Sequence, residues 1–227
     1  MTHPPERVRV HQLDASSRVL DPAVERAIDE TWAGQLADAA ARGLRLADAP
    51  AYRLESVVER DGTLELGLTL EPYRVHSAMK TLYRDPRVHA AHHDGMLVAD
   101  GLVRTADDRY LLLSTPKVTG VELQLVGGTA SPAQREIRRS VNLFAFMEQR
   151  VMGALTVSAG DVEVREILGL VRQEIGCVNV VFDVRVGVAA ERVSARDGSE
   201  LVVVAADELR SFLAGGPAYL PAVAALL

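Results

Sequence analysis

The chain has 227 residues, 48% of them hydrophobic, and a formal net charge of -6. That is enough apolar material for one sizeable core, or one core plus an N-terminal extension. The acidic balance, the absence of any basic run and an aromatic content of only 4% argue against a nucleic-acid surface.

Cys177 is the only cysteine, which excludes an internal disulfide framework and four-cysteine zinc sites. Lysine occurs only at Lys80 and Lys117, and arginine supplies the remaining positive charge, a bias that points to a high-GC bacterial source. Residues 1–10 are Pro-rich and polar rather than signal-like, and no apolar run approaches membrane-spanning length. A soluble cytoplasmic protein is expected.

In chain order, residues 1–20 read as an arm or edge strand anchored by Val8, Val10, Leu13 and Val19. Asp21-Pro22 starts a helix, with an N-cap oxygen followed by proline at the first helical position. This helix is expected over 21–43, ending at Gly43, with the stripe Val24, Ala27, Ile28, Thr31, Trp32, Leu36 and Ala39. Two strand-like runs, 52–59 and 63–70, flank Asp61-Gly62, a strong hairpin signal. Residues 71–80 read as a polar connector. Asp85-Pro86 reads as the start of a short helix over 87–93.

From Gly95 the pattern turns to strands. Residues 96–105 and 110–114 flank a second hairpin at 106–109. Val121, Leu123 and Leu125 mark a strand, followed by a Gly127-Gly128 loop. An amphipathic helix then carries Ile137, Val141, Phe144, Met147, Val151 and Leu155 on one stripe. Residues 162–172 read as a strand with a bulge at Gly169. Val178, Val180, Phe182, Val184 and Val186 recur with a period of two, which predicts a half-buried antiparallel strand. A hairpin at Asp197-Gly198 leads into strand 201–204. A short helix follows Asp207-Glu208, and 219–227 reads as an apolar C-terminal helix. This order gives an α+β class, a mixed β-sheet sandwiched between α-helices.

Several short segments together resemble the Nudix hydrolase superfamily. Leu168-Gly169-Leu170 follows the helix as in that fold, and Gly95-Met96-Leu97-Val98 with Thr105-Ala106-Asp107-Asp108 match its first hairpin. Ile28-Asp29-Glu30-Thr31-Trp32, Leu66-Gly67-Leu68-Thr69-Leu70 and Tyr73-Arg74 are similar to the UDP-glucose diphosphatase branch. The resemblance implies a Nudix fold with an N-terminal extension over 1–93, made of the helix and a β-hairpin over 52–70, and a Nudix-like domain over 94–227. It also implies a cleft beside the central helix, bordered by Tyr73, Arg74, His76, Lys80, Gly127 and Gly128.

The Nudix box places glutamates on that helix to hold magnesium, a hard cation that takes oxygen ligands. Counting back from Leu168-Gly169, the box falls on residues 149–157, and its glutamate positions become Arg150, Gly153 and Ala154. The box is therefore degenerate, and no metal or other cofactor is expected.

Other residues are candidates for the chemistry instead. Arg150 is suited to a phosphate or carboxylate, with a surface arginine as the alternative. His76 is a candidate general acid or base by type, and Glu148 a candidate base. Asp161 and Glu163 are candidates for relocated carboxylates, against the plainer reading as edge-strand charges. His89 and His93, four apart on a helix, are candidates for a transition metal, against the plainer reading of His89, His92 and His93 as surface residues.

Three functions stay open. The first is a repurposed metal-independent enzyme acting on a small molecule in a bacterial biosynthetic pathway. The second is a residual nucleoside-diphosphate-sugar hydrolase using relocated carboxylates. The third is a non-catalytic ligand-binding or regulatory homologue. The expected partner is a small-molecule substrate or ligand, without nucleic acid or membrane; homodimerisation is left open.

Overall fold

A computed structural model describes residues 2–14, 18–86, 88, 95–117, 120–196 and 198–227. The first strand, β1 (Val8–Gln12), buries Val8 and Val10 and pairs parallel with a later strand. Helix α1 (Pro22–Ala41) starts where Asp21 Oδ1 accepts the Ala23 N–H at 2.7 Å. Only Val24, Ile28 and Trp32 of its predicted stripe are buried. Strands β2 (Pro50–Arg60) and β3 (Thr63–Pro72) form the predicted hairpin. Asp61 and Gly62 both take positive φ, 51° and 72°, which the right-handed twist of a two-residue hairpin demands. The small sheet has the order β1-β3-β2.

Residues 71–80 depart from the predicted connector. Tyr73–Leu82 is a helix, α2, which buries Val75, His76, Ala78 and Met79. That spacing is helical, but polar residues between hid it. Trp32 of α1 meets Tyr73 edge-on, with ring centroids 6.3 Å apart.

The larger sheet begins with β4 (Leu97–Arg104) and β5 (Arg109–Lys117), joined by a turn in which Asp108 has φ 57°. Then come β6 (Gly120–Gln124) and β7 (Val126–Thr129). Helix α3 (Ser140–Ala154), β8 (Val162–Arg172), β9 (Val178–Val186) and β10 (Glu200–Ala205) follow, and the short helices α4 (Leu209–Ala214) and α5 (Leu220–Ala224) close the chain. The strand order is β10-β5-β4-β9-β8, with β6 on β5 and β7 on β4. β4 and β9 run parallel at the centre.

Both faces of this sheet are covered. On one face Leu97, Val103, Val180, Phe182 and Val184 pack against Leu143, Phe144, Phe146 and Met147 of α3, and the same cluster includes Val8, Leu54, Leu64 and Leu66 of the small sheet. Phe144 and Phe182 meet edge-to-face at 5.4 Å. On the other face Leu102, Leu112 and Val181 pack under Leu209, Leu213, Leu220 and Val223. The result is the expected α+β arrangement of a mixed sheet between helices.

Several expectations need correction. Gly127-Gly128 lies in strand β7, paired with Asp100 and Ala99 of β4, rather than in a loop. β9 is antiparallel to β8, as expected, but it is a central strand that also runs parallel to β4, and it is not half-buried, because α4 and α5 cover its second face. β10 pairs with β5 rather than returning along the preceding chain, and Asp197 of the expected hairpin lies outside the described residues. Val19 and Val141 are exposed, at 86% and 63%; Leu143 and Phe146 take the buried positions on α3. The C-terminal helix spans only Leu220–Ala224. The bulge expected at Gly169 is present, as a register shift between Ile167 and Gly169. The helix expected over 87–93, with His89, His92 and His93, falls mostly outside the described residues. Among the described residues no helix is long and apolar enough to cross a membrane.

Replacing Phe182 with alanine removes the ring that fills the space under α3. Chemical denaturation is expected to show a loss of roughly 3–5 kcal/mol, whereas Val141→Ala on the exposed side of the same helix is expected to stay within about 0.5 kcal/mol.

Candidate functional site

Residues 97–103 of β4 are apolar except for one carboxylate. Asp100 is 3% exposed and belongs to the face of the sheet covered by the C-terminal helices. Its Oδ2 accepts from Asn179 Nδ2 at 2.5 Å, across the parallel β4–β9 pairing. Asn179 is itself oriented by Gln173 Nε2, which donates to Asn179 Oδ1 at 2.6 Å. Tyr219 supplies the second bond to Asp100. The Tyr219 hydroxyl oxygen accepts from the Leu125 N–H at 3.2 Å, so its own proton is directed at the carboxylate.

Burial raises the Asp100 pKa to about 6, and the bonds from Asn179 and Tyr219 and the nearby Arg150 charge hold it from going higher. The Tyr219 hydroxyl is pushed well above its ordinary range, first by burial and then by the Asp100 charge. A buried carboxylate in this setting keeps its proton into the mildly acidic range, where proton transfer at neutral pH is easiest.

The two glycines of β7 are needed for close approach. A Cβ on Gly127 would strike the Ala99 carbonyl oxygen and Asp100 Oδ1. A Cβ on Gly128, whose φ is 152°, would strike the guanidinium of Arg150. Arg150 projects from α3 and donates from Nη2 to the Gly127 carbonyl at 2.7 Å. With its amide oxygen turned toward Arg150, Gln134 accepts from Nη1 at 2.7 Å and donates to the Thr129 carbonyl at 3.3 Å. The bare backbone thus lets a cation on the helix and a carboxylate on the sheet approach the same turn.

These groups line one cavity of about 510 Å³. Of the residues expected to bind substrate, Tyr73, Lys80, Gly127, Gly128 and Arg150 all face it. Arg74 does not; it points toward Asp29 and Asp48, each at 3.8 Å. The four expected catalytic residues are not among the cavity's lining. His76 is fully buried, with Nε2 3.8 Å from Glu71 Oε2, and Glu71 in turn is bridged by Arg18. Glu148 is half-buried on another side of α3. Asp161 and Glu163 line a separate depression with Arg104 and Arg185, at the far end of β4 from the glycines.

Sequence reasoning missed Asp100, Asn179, Tyr219, Gln134 and Glu122. A signal for two of them existed. Asp100 and Asn179 are lone polar residues inside apolar strand runs, and a polar group is rarely buried without a partner. Tyr219 and Gln134 reach the site from segments whose paths only the folded chain defines.

The donors do not suit a dication. The part of α3 that lines the cleft presents Arg150 and Ala154, and a guanidinium beside Asp100 repels a metal ion. Among the described residues no group of three or more His, Cys, Asp or Glu side chains is arranged to hold one.

Asp100 has a pH signature. Its carboxyl binds a proton more tightly in the folded chain than in the unfolded one, where the value is 3.8. The resulting stabilisation is complete below about pH 3.8 and is lost as the pH rises through about 6. Asp100→Asn removes this dependence. From pH 4 to pH 7 the wild type is expected to lose on the order of 2–3 kcal/mol relative to the variant in paired denaturation curves; parallel curves would show that Asp100 titrates normally.

No protein-family profile and no curated protein sequence matches the chain. Solved structures do. A Nudix hydrolase from Nitrosomonas europaea is similar with a TM-score of 0.42 and 16% identity, over 57% of this chain and 85% of that one. The MutT protein from Methanosarcina mazei Go1 is similar with a TM-score of 0.43 and 18% identity, over 57% of this chain and 90% of that one. The E. coli ORF135 protein is similar with a TM-score of 0.34 and 16% identity, over 52% of this chain and 78% of that one.

Proposed function

We propose that the cleft binds a small molecule bearing an anionic group and performs proton transfer on it without a metal ion, on a Nudix-like scaffold that has lost its magnesium-binding glutamates. The arginine-rich, lysine-poor composition supports a high-GC bacterial source, and a role in a biosynthetic pathway is part of the proposal. The observation that supports the reading is the pairing in one cavity of a fixed cation, Arg150, with a buried carboxylate, Asp100, whose pKa is about 6.

The roles follow from the chemistry of each group. Arg150 is the anion contact, a permanently charged planar donor held in place by Gly127 and Gln134. Asp100 accepts a proton from the substrate, or from a water molecule attacking it, and returns it later in the cycle. Charge left on the substrate is stabilised by the guanidinium, which needs no reorganisation. Asn179 and Tyr219 position Asp100 and keep its pKa from rising further. The carboxylates Asp161 and Glu163 stand apart from this cavity, which weighs against hydrolysis through them.

A panel of phosphorylated and carboxylated metabolites, including nucleoside-diphosphate sugars, tests the reading. Turnover is expected to be insensitive to EDTA and to rise with pH through an apparent pKa near 6. Arg150→Ala is expected to weaken ligand binding by about ten- to a hundredfold. Asp100→Asn is expected to lower kcat by roughly 10²–10⁴ while leaving binding largely intact. Loss of turnover in EDTA, or a fully active Asp100→Asn protein, overturns the proposal.

A further inference from the structure

Where this chain buries charge, it neutralises it. Arg18 is bridged to Glu71, and Arg53 to Glu55. The cleft breaks this pattern. Glu122 of β6 faces the cavity, and its carboxylate makes no hydrogen bond or ion pair among the described residues. Lys80, in the last turn of α2, faces the same cavity half-buried, and its ammonium likewise has no partner among the described residues. Glu122 is exposed and Lys80 half-buried, so two opposite charges line one open cleft without satisfying each other.

The field of Glu122 also reaches inward. It raises the proton affinity of both Asp100 and Tyr219, so it acts on the carboxylate proposed to move the proton. A simple anion entering the cleft would meet Lys80 and Arg150 favourably but would be repelled by Glu122 and Asp100. A simple cation would meet the reverse. A neutral ligand would cover both unpaired groups and leave them without compensation.

Resting on the reading of the cleft as a small-molecule site, we propose that its ligand is zwitterionic. A protonated amine sits at Glu122, and a carboxylate or phosphate sits at Lys80 and Arg150. The amine then lies beside Asp100, so the proton moved in the reaction comes from the ligand's amine-bearing end. Glu122 is the residue that sets this specificity, because it is the carboxylate on the wall that has no hydrogen-bond or ion-pair partner among the described residues.

Calorimetric titration at pH 7 tests this with β-alanine, γ-aminobutyrate, ε-aminocaproate and phosphoethanolamine, each beside its N-acetyl derivative. Acetylation removes the amine charge and leaves the anion. At least one zwitterion is expected to bind about tenfold or more tightly than its acetylated form, since one charge-assisted contact is worth that much. Glu122→Gln is expected to erase the preference, and Lys80→Ala to weaken both members of the pair alike. Whether the amino acids or phosphoethanolamine bind better decides between carboxylate and phosphate. Equal binding of acetylated and free forms, or a preference that survives Glu122→Gln, overturns the zwitterion and leaves the anion site standing. If no member of either series binds the wild type at millimolar concentration, both the zwitterion and the anion site fall.

Discussion

A single carboxylate inside an apolar sheet dictates much of the local architecture. Asp100 sits on β4 between Ala99, which packs into one core, and Leu102, which packs into the other. An ionised group there is costly unless it is hydrogen-bonded on several sides. The chain meets that cost with three elements distant in sequence: Asn179 from β9, Tyr219 from the C-terminal segment, and the Arg150 charge from α3. The demand on the backbone follows, since Gly127 has to pass against the carboxylate with no side chain at all. Ala218, the residue before Tyr219, takes φ 54°, an uncommon conformation for a residue with a Cβ, in the turn that delivers the hydroxyl. Strain next to a functional contact is the usual place to find it.

The N-terminal residues are part of the site rather than an appendage to it. α2 carries Tyr73 and Lys80 into the cleft, while its opposite side is fixed by Val75, Ala78 and Met79 in a core shared with α1. The helix is therefore held from behind, and its two cleft residues, seven apart, lie on one face. His76 illustrates how residue type misleads. It has the chemistry of an acid–base group, but it is fully buried against Glu71 and does not line the cleft.

Legibility in the sequence tracked locality. The α1 cap at Asp21-Pro22, the Asp61-Gly62 hairpin and the period of β9 were readable because each depends on a few neighbouring residues. The cleft lining was readable at Tyr73, Lys80, Gly127, Gly128 and Arg150 through resemblance to a known layout. Pairing across the sheet was not readable: nothing within residues 200–205 says that they join β5 instead of the preceding segment. The proton-transfer candidate was hidden for the same reason. Asp100 becomes chemically distinct only when Asn179 and Tyr219 are brought to it from 79 and 119 positions further along the chain.

Replacing a dication with a guanidinium changes what a cleft can do. A metal ion is exchangeable, carries two charges and can activate water by itself. Arg150 is tethered, carries one charge, and has two of its N–H groups directed at Gly127 and Gln134. It can orient an anion and steady developing negative charge, but it cannot lower the pKa of a bound water as a metal does. A separate proton acceptor is then required within the same cavity, and Asp100 is the one buried carboxylate there. Its burial raises its pKa to about 6, the property on which the proposed proton transfer near neutral pH rests.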